Sequence, residues 1–419
     1  MPRHESAAMK TSDIVIRAAQ LRGQTELNDI AIHDGVIVAI APSLAAQGAE
    51  EILVDGRLVT ESFANPHLHL CKVWTLSMAE DIARADYHGA GMGKAMAAIE
   101  AASHVKATYA EGWILDNARR AVALAAMHGN LHIRAFADVD SKAKLEGLNA
   151  LLKVRDEFRG IVDVQVVAFP QDGILREPGT RELMREAMVR GADVVGGIPW
   201  IEYTDAAAAE HISFCFDLAN EFDKDVSMLL DDAGDPSLRT LEMFAIEAIA
   251  RGWTNRALAH HCRAMSQYPK PYLHRLIGTL KAAGVSVVSD PHTGPLHACV
   301  RELLADGVNV CLGQDDISDA YYPFGRNNML EVVFLAAHLL WMMSRDEIEQ
   351  LYDLATFRAG RAMNVELKIA VGSPAHLVVL GERDMLEAVR YHAAPVHVIS
   401  HGRSVDLAKM REIAGRPAV

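Results

Sequence analysis

The 419-residue sequence predicts an α/β protein, a (β/α)8 barrel with a small β-sandwich domain built from its N- and C-terminal segments. Three observations carry this: eight short apolar runs rich in β-branched residues, stretches of helical period between them, and further strand-like segments confined to the two ends of the chain.

The first segment, 13–60, holds Ile14-Val15-Ile16, then Ile30-Ala31-Ile32-His33 and Val36 to Ile40. Asp34-Gly35 between the last two runs signals a hairpin. From about 61 the texture becomes a βα repeat. Strands are expected at 59–64, 131–135, 162–169, 193–197, 225–230, 256–259, 285–289 and 308–312, with helical spacing over 111–127, 143–158 and 181–190. Runs without polar alternation are buried on both faces, as parallel strands covered by helices are. Near the C-terminus, Leu377 to Leu380, Val396 to Ile399 and a His401-Gly402 turn are β-rich again. Neither terminal segment buries itself alone, so they are expected to pair as one domain, 1–60 plus 365–419, beside a barrel at 61–364.

Lys and Arg number 41 against 55 Asp and Glu, a net charge of −14, and no basic run occurs, which argues against a nucleic-acid partner. Hydrophobic residues at 50% and charged residues at 23% fit a soluble globular protein. No apolar run reaches the roughly 18 residues of a membrane span, and the first residues do not lead into a signal-peptide stretch. The longest run, 332–343, contains His338 and reads as a buried helix. Cys71, Cys215, Cys262, Cys299 and Cys311 are scattered without a Cys-x-x-Cys, which suggests a reducing, cytoplasmic setting.

In such a barrel, functional groups sit at the C-terminal strand ends. Strand one ends Asn65-Pro66-His67-Leu68-His69, and histidines separated by one residue project to the same side of an extended chain, so both can reach one metal ion. Strand six ends Ala259-His260-His261, and strand eight ends Gly313-Gln314-Asp315-Asp316. A carboxylate there can face the same ion or accept a proton, although Asp at such a place also caps helices. Gly89 to Lys94 falls short of a phosphate loop and has Ala95 where the hydroxyl belongs; a lid after strand one is the better reading.

These motifs, with the segments 166–175, 191–199 and 313–316 followed by Tyr322-Pro323-Phe324-Gly325, resemble the amidohydrolase superfamily, and within it the cytosine deaminases and N-isopropylammelide hydrolases. The resemblance runs over about 13–403. It implies a single divalent ion, Zn or Fe, held by His67, His69 and Asp315. It further implies Asp315 as proton acceptor, His261 steadying the oxyanion, and substrate binding by Gln171, whose amide offers both donor and acceptor to a cyclic amide edge. Asp316 and Lys72 are expected beside the substrate. The implied partner is a small nitrogen heterocycle such as a pyrimidine or triazine, and the implied assembly a homo-oligomer.

Three positions depart from the pattern. Where the family carries its strand-five metal histidine this sequence has Leu229, and Asp232 stands where its proton-shuttling glutamate would be. The strand-two histidine position holds Phe136. Leucine cannot ligate a metal, so His261, Asp231 or Asp232, or His292 must move in, with His261 favoured, or else the metal is lost. The expectation is a metal-dependent, cytosine deaminase-type aminohydrolase; the alternatives are a cyclic-amide or N-alkyl triazine amidohydrolase, or a non-catalytic barrel without metal.

Overall fold

The computed structural model describes residues 12–79 and 81–415; the first residues, where a leader was looked for, and the last four lie outside that description. Among the described residues, sixteen strands form two eight-stranded sheets. No described helix is long and apolar enough to cross a membrane.

The smaller sheet contains β1 (Ser12–Leu21), β2 (Asn28–His33), β3 (Val36–Ala41), β4 (Gly48–Leu53) and β5 (Leu58–Glu61). Three C-terminal strands complete it, β14 (Leu377–Val379), β15 (His397–Ser400) and β16 (Arg403–Ser404), in the order β16-β15-β14-β5-β1-β2-β3 with β4 beside β1. β1 bends at a bulge where Ala18 takes φ 56°: its first half pairs with β2 and β4, and its end pairs with β5. Ile14, Ile16, Ile30, Ile32, Val59, Leu377, Val379 and Ile399 share the core between the halves. Isoleucine and valine suit such a place, since their stiff branched side chains pack well on a pleated surface.

The larger sheet runs in chain order: β6 (Phe63–Leu68), β7 (Asn130–Asp138), β8 (Asp163–Phe169), β9 (Val194–Gly197), β10 (Asp225–Leu230), β11 (Ala257–His261), β12 (Ser286–Ser289) and β13 (Val310–Leu312). Each neighbouring pair is parallel, with helices such as Glu111–Met127 and Asp205–Phe222 in the connections. This is the (β/α)8 barrel. β13 and β6 meet through one parallel bridge, Leu68 with Asp315, in which His69 N–H donates to Asp315 O (2.8 Å) and Asp315 N–H to His67 O (2.9 Å). Asn65 Oδ1 adds to the closure by accepting from His67 N–H and Gln314 N–H.

The expected strand at 59–64 proves to be parts of two, β5 in the small sheet and β6 in the barrel, because Ser62 between them turns the chain from one to the other. The 332–343 run lies mostly in the helix Met329–Leu339, whose first turn is capped by the Asn328 side chain. The long β6–β7 connection crosses the barrel mouth: Tyr87, Met92 and Ile99 pack with Phe136, Phe169 and Leu229. Gly234 lets this cover sit close, since a Cβ there would fall 1.9 Å from Gly91 O. Within it, Gly89 to Met92 turns through left-handed backbone at Ala90, Gly91 and Met92, and Lys94 pairs with Asp86.

Candidate active site

The C-terminal strand ends converge as the fold requires. His67 lies next to the end of β6 and His69 follows that strand; Gln171 follows β8; Leu229 lies near the end of β10; His260 and His261 end β11; Asp290 and Asp315 follow β12 and β13. Gly313 permits the approach of β13, since a Cβ there would lie 2.8 Å from His67 Cβ. His261, Cys262 and Asp315 all take left-handed backbone conformations, at φ 63°, 50° and 66°. Such strain in non-glycine residues persists only where surrounding contacts impose it, and it clusters at functional sites.

His67 Nε2 lies 3.0 Å from Asp315 Oδ1, yet forms no aligned hydrogen bond, and His69 Nε2 lies 3.7 Å from the same oxygen. All three side chains are buried and offer ligand atoms within 4.8 Å of one another. The other nitrogen of His67, Nδ1, is 2.8 Å from His260 Nδ1, and the ring packs on Phe136 at 4.4 Å between centroids. The residue at the strand-two position is thus a wall behind the histidines. Burial lowers the pKa of His67, and that of His69 well below the usual imidazole value, which favours neutral rings with free lone pairs.

His261 is held differently. Its Nδ1 sits 2.8 Å from Asp290 Oδ2, while Nε2 is 3.9 Å from both Asp315 Oδ1 and Asp232 Oδ2. Burial opposes its charge, but Asp232, Asp290 and Asp315 prevail and bring its pKa to about 9. Burial raises the carboxyl of Asp232. Asp315 runs against its own burial and is held well below the carboxylate range by His261 and His67.

Sequence reasoning passed over Arg263, the most charged feature of this site. Its guanidinium, 1% exposed, donates from Nε to Asp232 Oδ1 (2.6 Å) and from Nη2 to Thr293 Oγ1 (2.9 Å). Nη2 also lies 3.4 Å from Asp290 Oδ2 and 3.6 Å from Asp315 Oδ2. The signal was present, since an arginine directly after a strand-end His-His-Cys in a buried stretch needs several anionic partners.

Four candidates for the Leu229 gap separate on geometry. Asp231 is fully engaged, accepting from Thr240 N–H and Oγ1–H, Leu241 N–H and Tyr268 O–H. His292 Nε2 points to Gln314 O. His261 Nε2 and Asp232 Oδ2 remain facing the site, around the buried Leu229 side chain.

Opposite this cluster, Lys72 Nζ donates to Gln171 Oε1 (2.8 Å) and lies 4.8 Å above the Tyr321 ring. An ammonium only donates, so it fixes which end of the amide it meets. Gln171 therefore spends one acceptor site on Lys72 and turns its NH2 elsewhere, a narrower offer than the free donor-acceptor pair expected from sequence. Glu202 steadies the following loop by accepting from Ile174, Leu175 and Arg176 N–H. Asp138, Tyr321 and Asp316 keep Lys72 charged against its burial, whereas burial, Asp315 and Asp319 push the Asp316 carboxyl well up. His69, Lys72, Gln171, Asp232, His261, Asp315 and Asp316 line one cavity with room for one or two waters (about 20 Å³). A second adjoins it beyond Lys72 and Gln171, lined by Ala102, Val105, Tyr109 and Ala320.

A (β/α)8 barrel with His-x-His after its first strand and Asp after its last defines a class, and comparison agrees: residues 50–406 match the amidohydrolase family model, and the chain belongs to that family of hydrolases acting on carbon–nitrogen bonds. Among its relatives, N-isopropylammelide isopropyl amidohydrolase of Pseudomonas sp. (strain ADP) is 27% identical over 407 residues, covering 94% of this chain and 98% of the other. The structure of 5-methylcytosine deaminase from Klebsiella pneumoniae liganded with 5-fluorocytosine superposes with a TM-score of 0.85 at 33% identity, over 93% of this chain and 97% of that one. That of N-isopropylammelide isopropylaminohydrolase from Burkholderia multivorans gives 0.80 at 25%, over 94% and 98%.

Proposed function

We propose that the chain is an aminohydrolase that replaces an exocyclic amino group of a small pyrimidine- or triazine-like ring with oxygen, releasing ammonia. The carrying observation is the donor set of His67 Nε2, His69 Nε2 and Asp315 Oδ1, whose crowding without an aligned hydrogen bond is the arrangement of side chains that share an ion. Two imidazoles and a carboxylate suit Zn or Fe. When bound, such an ion makes hydroxide available near neutral pH by lowering the pKa of water toward ~7. His261 fits the fourth place once the ion displaces its Nε2 proton, because Asp290 at Nδ1 leaves Nε2 directed inward, the support that ligating histidines commonly have.

The remaining roles follow from position. Asp315 accepts the proton of the attacking water, and Asp232 Oδ2, on the side away from Arg263, delivers one to the departing amine. Gln171 donates its amide N–H to a ring carbonyl, with Lys72 behind it favouring an electron-rich edge, and Asp316 lies across the ring. Net, one water is consumed, the C–N bond breaks and a C–O bond forms.

The deaminase and ammelide hydrolase among the relatives support this reading, and the ammelide hydrolase keeps a variant of it, in which an N-alkyl amine is cleaved from the ring and an alkylamine is released. Incubation of metal-loaded protein with cytosine, 5-methylcytosine and N-isopropylammelide, with ammonia and isopropylamine measured separately, tests both. Ammonia release that disappears in His67→Ala and Asp315→Ala is expected. Unchanged turnover in those variants, or absence of metal after reconstitution with Zn²⁺ or Fe²⁺, refutes the proposal.

A further inference from the structure

At the other end of the barrel, β7 and β8 begin side by side, and His132 pairs in register with Asp163. The small sheet closes over this end. It brings His376, the residue before β14, and His401, in the turn between β15 and β16, to the same place. His132 Nδ1 lies 3.4 Å from Asp163 Oδ2, and His401 Nε2 lies 3.1 Å from the same oxygen. The His132 and His376 rings stand edge to face at 4.7 Å, and those of His376 and His401 at 4.5 Å.

His132 is 1% exposed, and neither of its ring nitrogens has a hydrogen-bond partner. A buried imidazole left this way is unfavourable unless something occupies its lone pair. His132, Asp163 and His376 each offer a ligand atom, and the three atoms lie within 4.8 Å of one another. Zinc-type bonds of about 2.0–2.1 Å at tetrahedral angles place neighbouring donors roughly 3.3 Å apart. Both separations from Asp163 Oδ2 agree with that spacing. The His401 N–H, 3.4 Å from His376 Nδ1, leaves Nε2 of that ring as the donor.

We propose that His132, Asp163, His376 and His401 form a second metal site, for a divalent ion of the zinc class, at the junction of barrel and small sheet. Three imidazoles and one carboxylate fill four positions, so the site is closed to substrate and its function is structural. It clamps the chain leading into β14 and the β15–β16 turn to the first residues of β7 and β8. Binding to the folded state alone then raises the thermal midpoint with free metal concentration.

The test is Co²⁺ titration of chelator-stripped protein carrying His67→Ala and His69→Ala, which removes two of the four ligands proposed at the candidate active site. Expected is the visible absorption of tetrahedral Co²⁺, saturating at one ion per chain, together with a rising thermal midpoint. Adding His376→Gln abolishes both. His401→Gln, at a side chain 42% exposed and so safe for folding, weakens binding about tenfold or more with an unchanged circular dichroism spectrum. Absence of saturable binding in the His67→Ala/His69→Ala protein, or binding undiminished by both His376→Gln and His401→Gln, overturns the proposal.

Discussion

Replacing Arg263 with methionine keeps an unbranched chain of similar reach and removes the charge. The variant loses the 2.6 Å contact to Asp232, the 2.9 Å bond to Thr293 and the nearby positive charge at Asp290. One charge-assisted hydrogen bond contributes about 1.5–3 kcal/mol, and stripping one partner from a buried ion pair costs about 3–5 kcal/mol. A loss near 4 kcal/mol is expected in metal-free protein. The loss should depend on pH. Burial already raises the Asp232 carboxyl, against the opposing pull of His261 and Arg263, and removing Arg263 raises it further. An acid whose folded pKa exceeds its unfolded value of ~3.9 destabilises only above that unfolded value, increasingly until pH passes the folded pKa. The deficit is therefore smaller at about pH 5 than at about pH 8. Urea unfolding of wild type and Arg263→Met at both values measures it. A loss below about 1 kcal/mol, or one equal at both pH values, would show that the guanidinium does not compensate the carboxylates.

Leu229→His places an imidazole beside His69, Asp232 and His261, and metal retained through dialysis should rise by about tenfold or more; unchanged retention would mean that residue 229 cannot reach the ion. Lys72→Met frees the Gln171 amide and removes a charged hydrogen bond of about 1.5–3 kcal/mol, so kcat/KM should fall roughly 10- to 150-fold, with metal content unaltered. Ser344→Ala removes the capping box of the helix Arg345–Ala355 and should cost about 1 kcal/mol in denaturant unfolding. In wild type, the Ser344 backbone and side chain and Arg301 depress Glu347 to about 2, so the hydroxyl's share of that contribution is complete above the unfolded value of ~4.5 and fades as pH falls through about 2, whereas the loss of the Ser344 Oγ acceptor for Glu347 N–H persists at low pH.

The barrel was legible because its strands are buried on both faces, so Val166-Val167-Ala168-Phe169 or Val285 to Ser289 stand out without alternation. Ends were less so. His260 and His261 lie inside β11 rather than after it, since their backbones still pair with Leu229 and Leu230. β4 escaped notice because Glu50 and Glu51 face solvent on a sheet edge and leave little apolar pattern. At the candidate site, His67, His69, His261 and Asp315 announce themselves by residue type and by position after a strand. Arg263 and His132 do not, because their significance lies in partners from other strands, which no local spacing encodes.

The bridge between Leu68 and Asp315 has a consequence for the motions of the barrel. Every other neighbouring pair of its strands shares a ladder, whereas β13 and β6 are joined there by a single bridge, flanked by the very side chains proposed to hold the ion. The ring thus has a seam, and the seam runs through the candidate site. Amides along it should exchange with deuterium sooner than those of β7 or β8, and an ion drawn to His67, His69 and Asp315 would act as a clasp across it, slowing that exchange and coupling loss of metal to local opening of the wall.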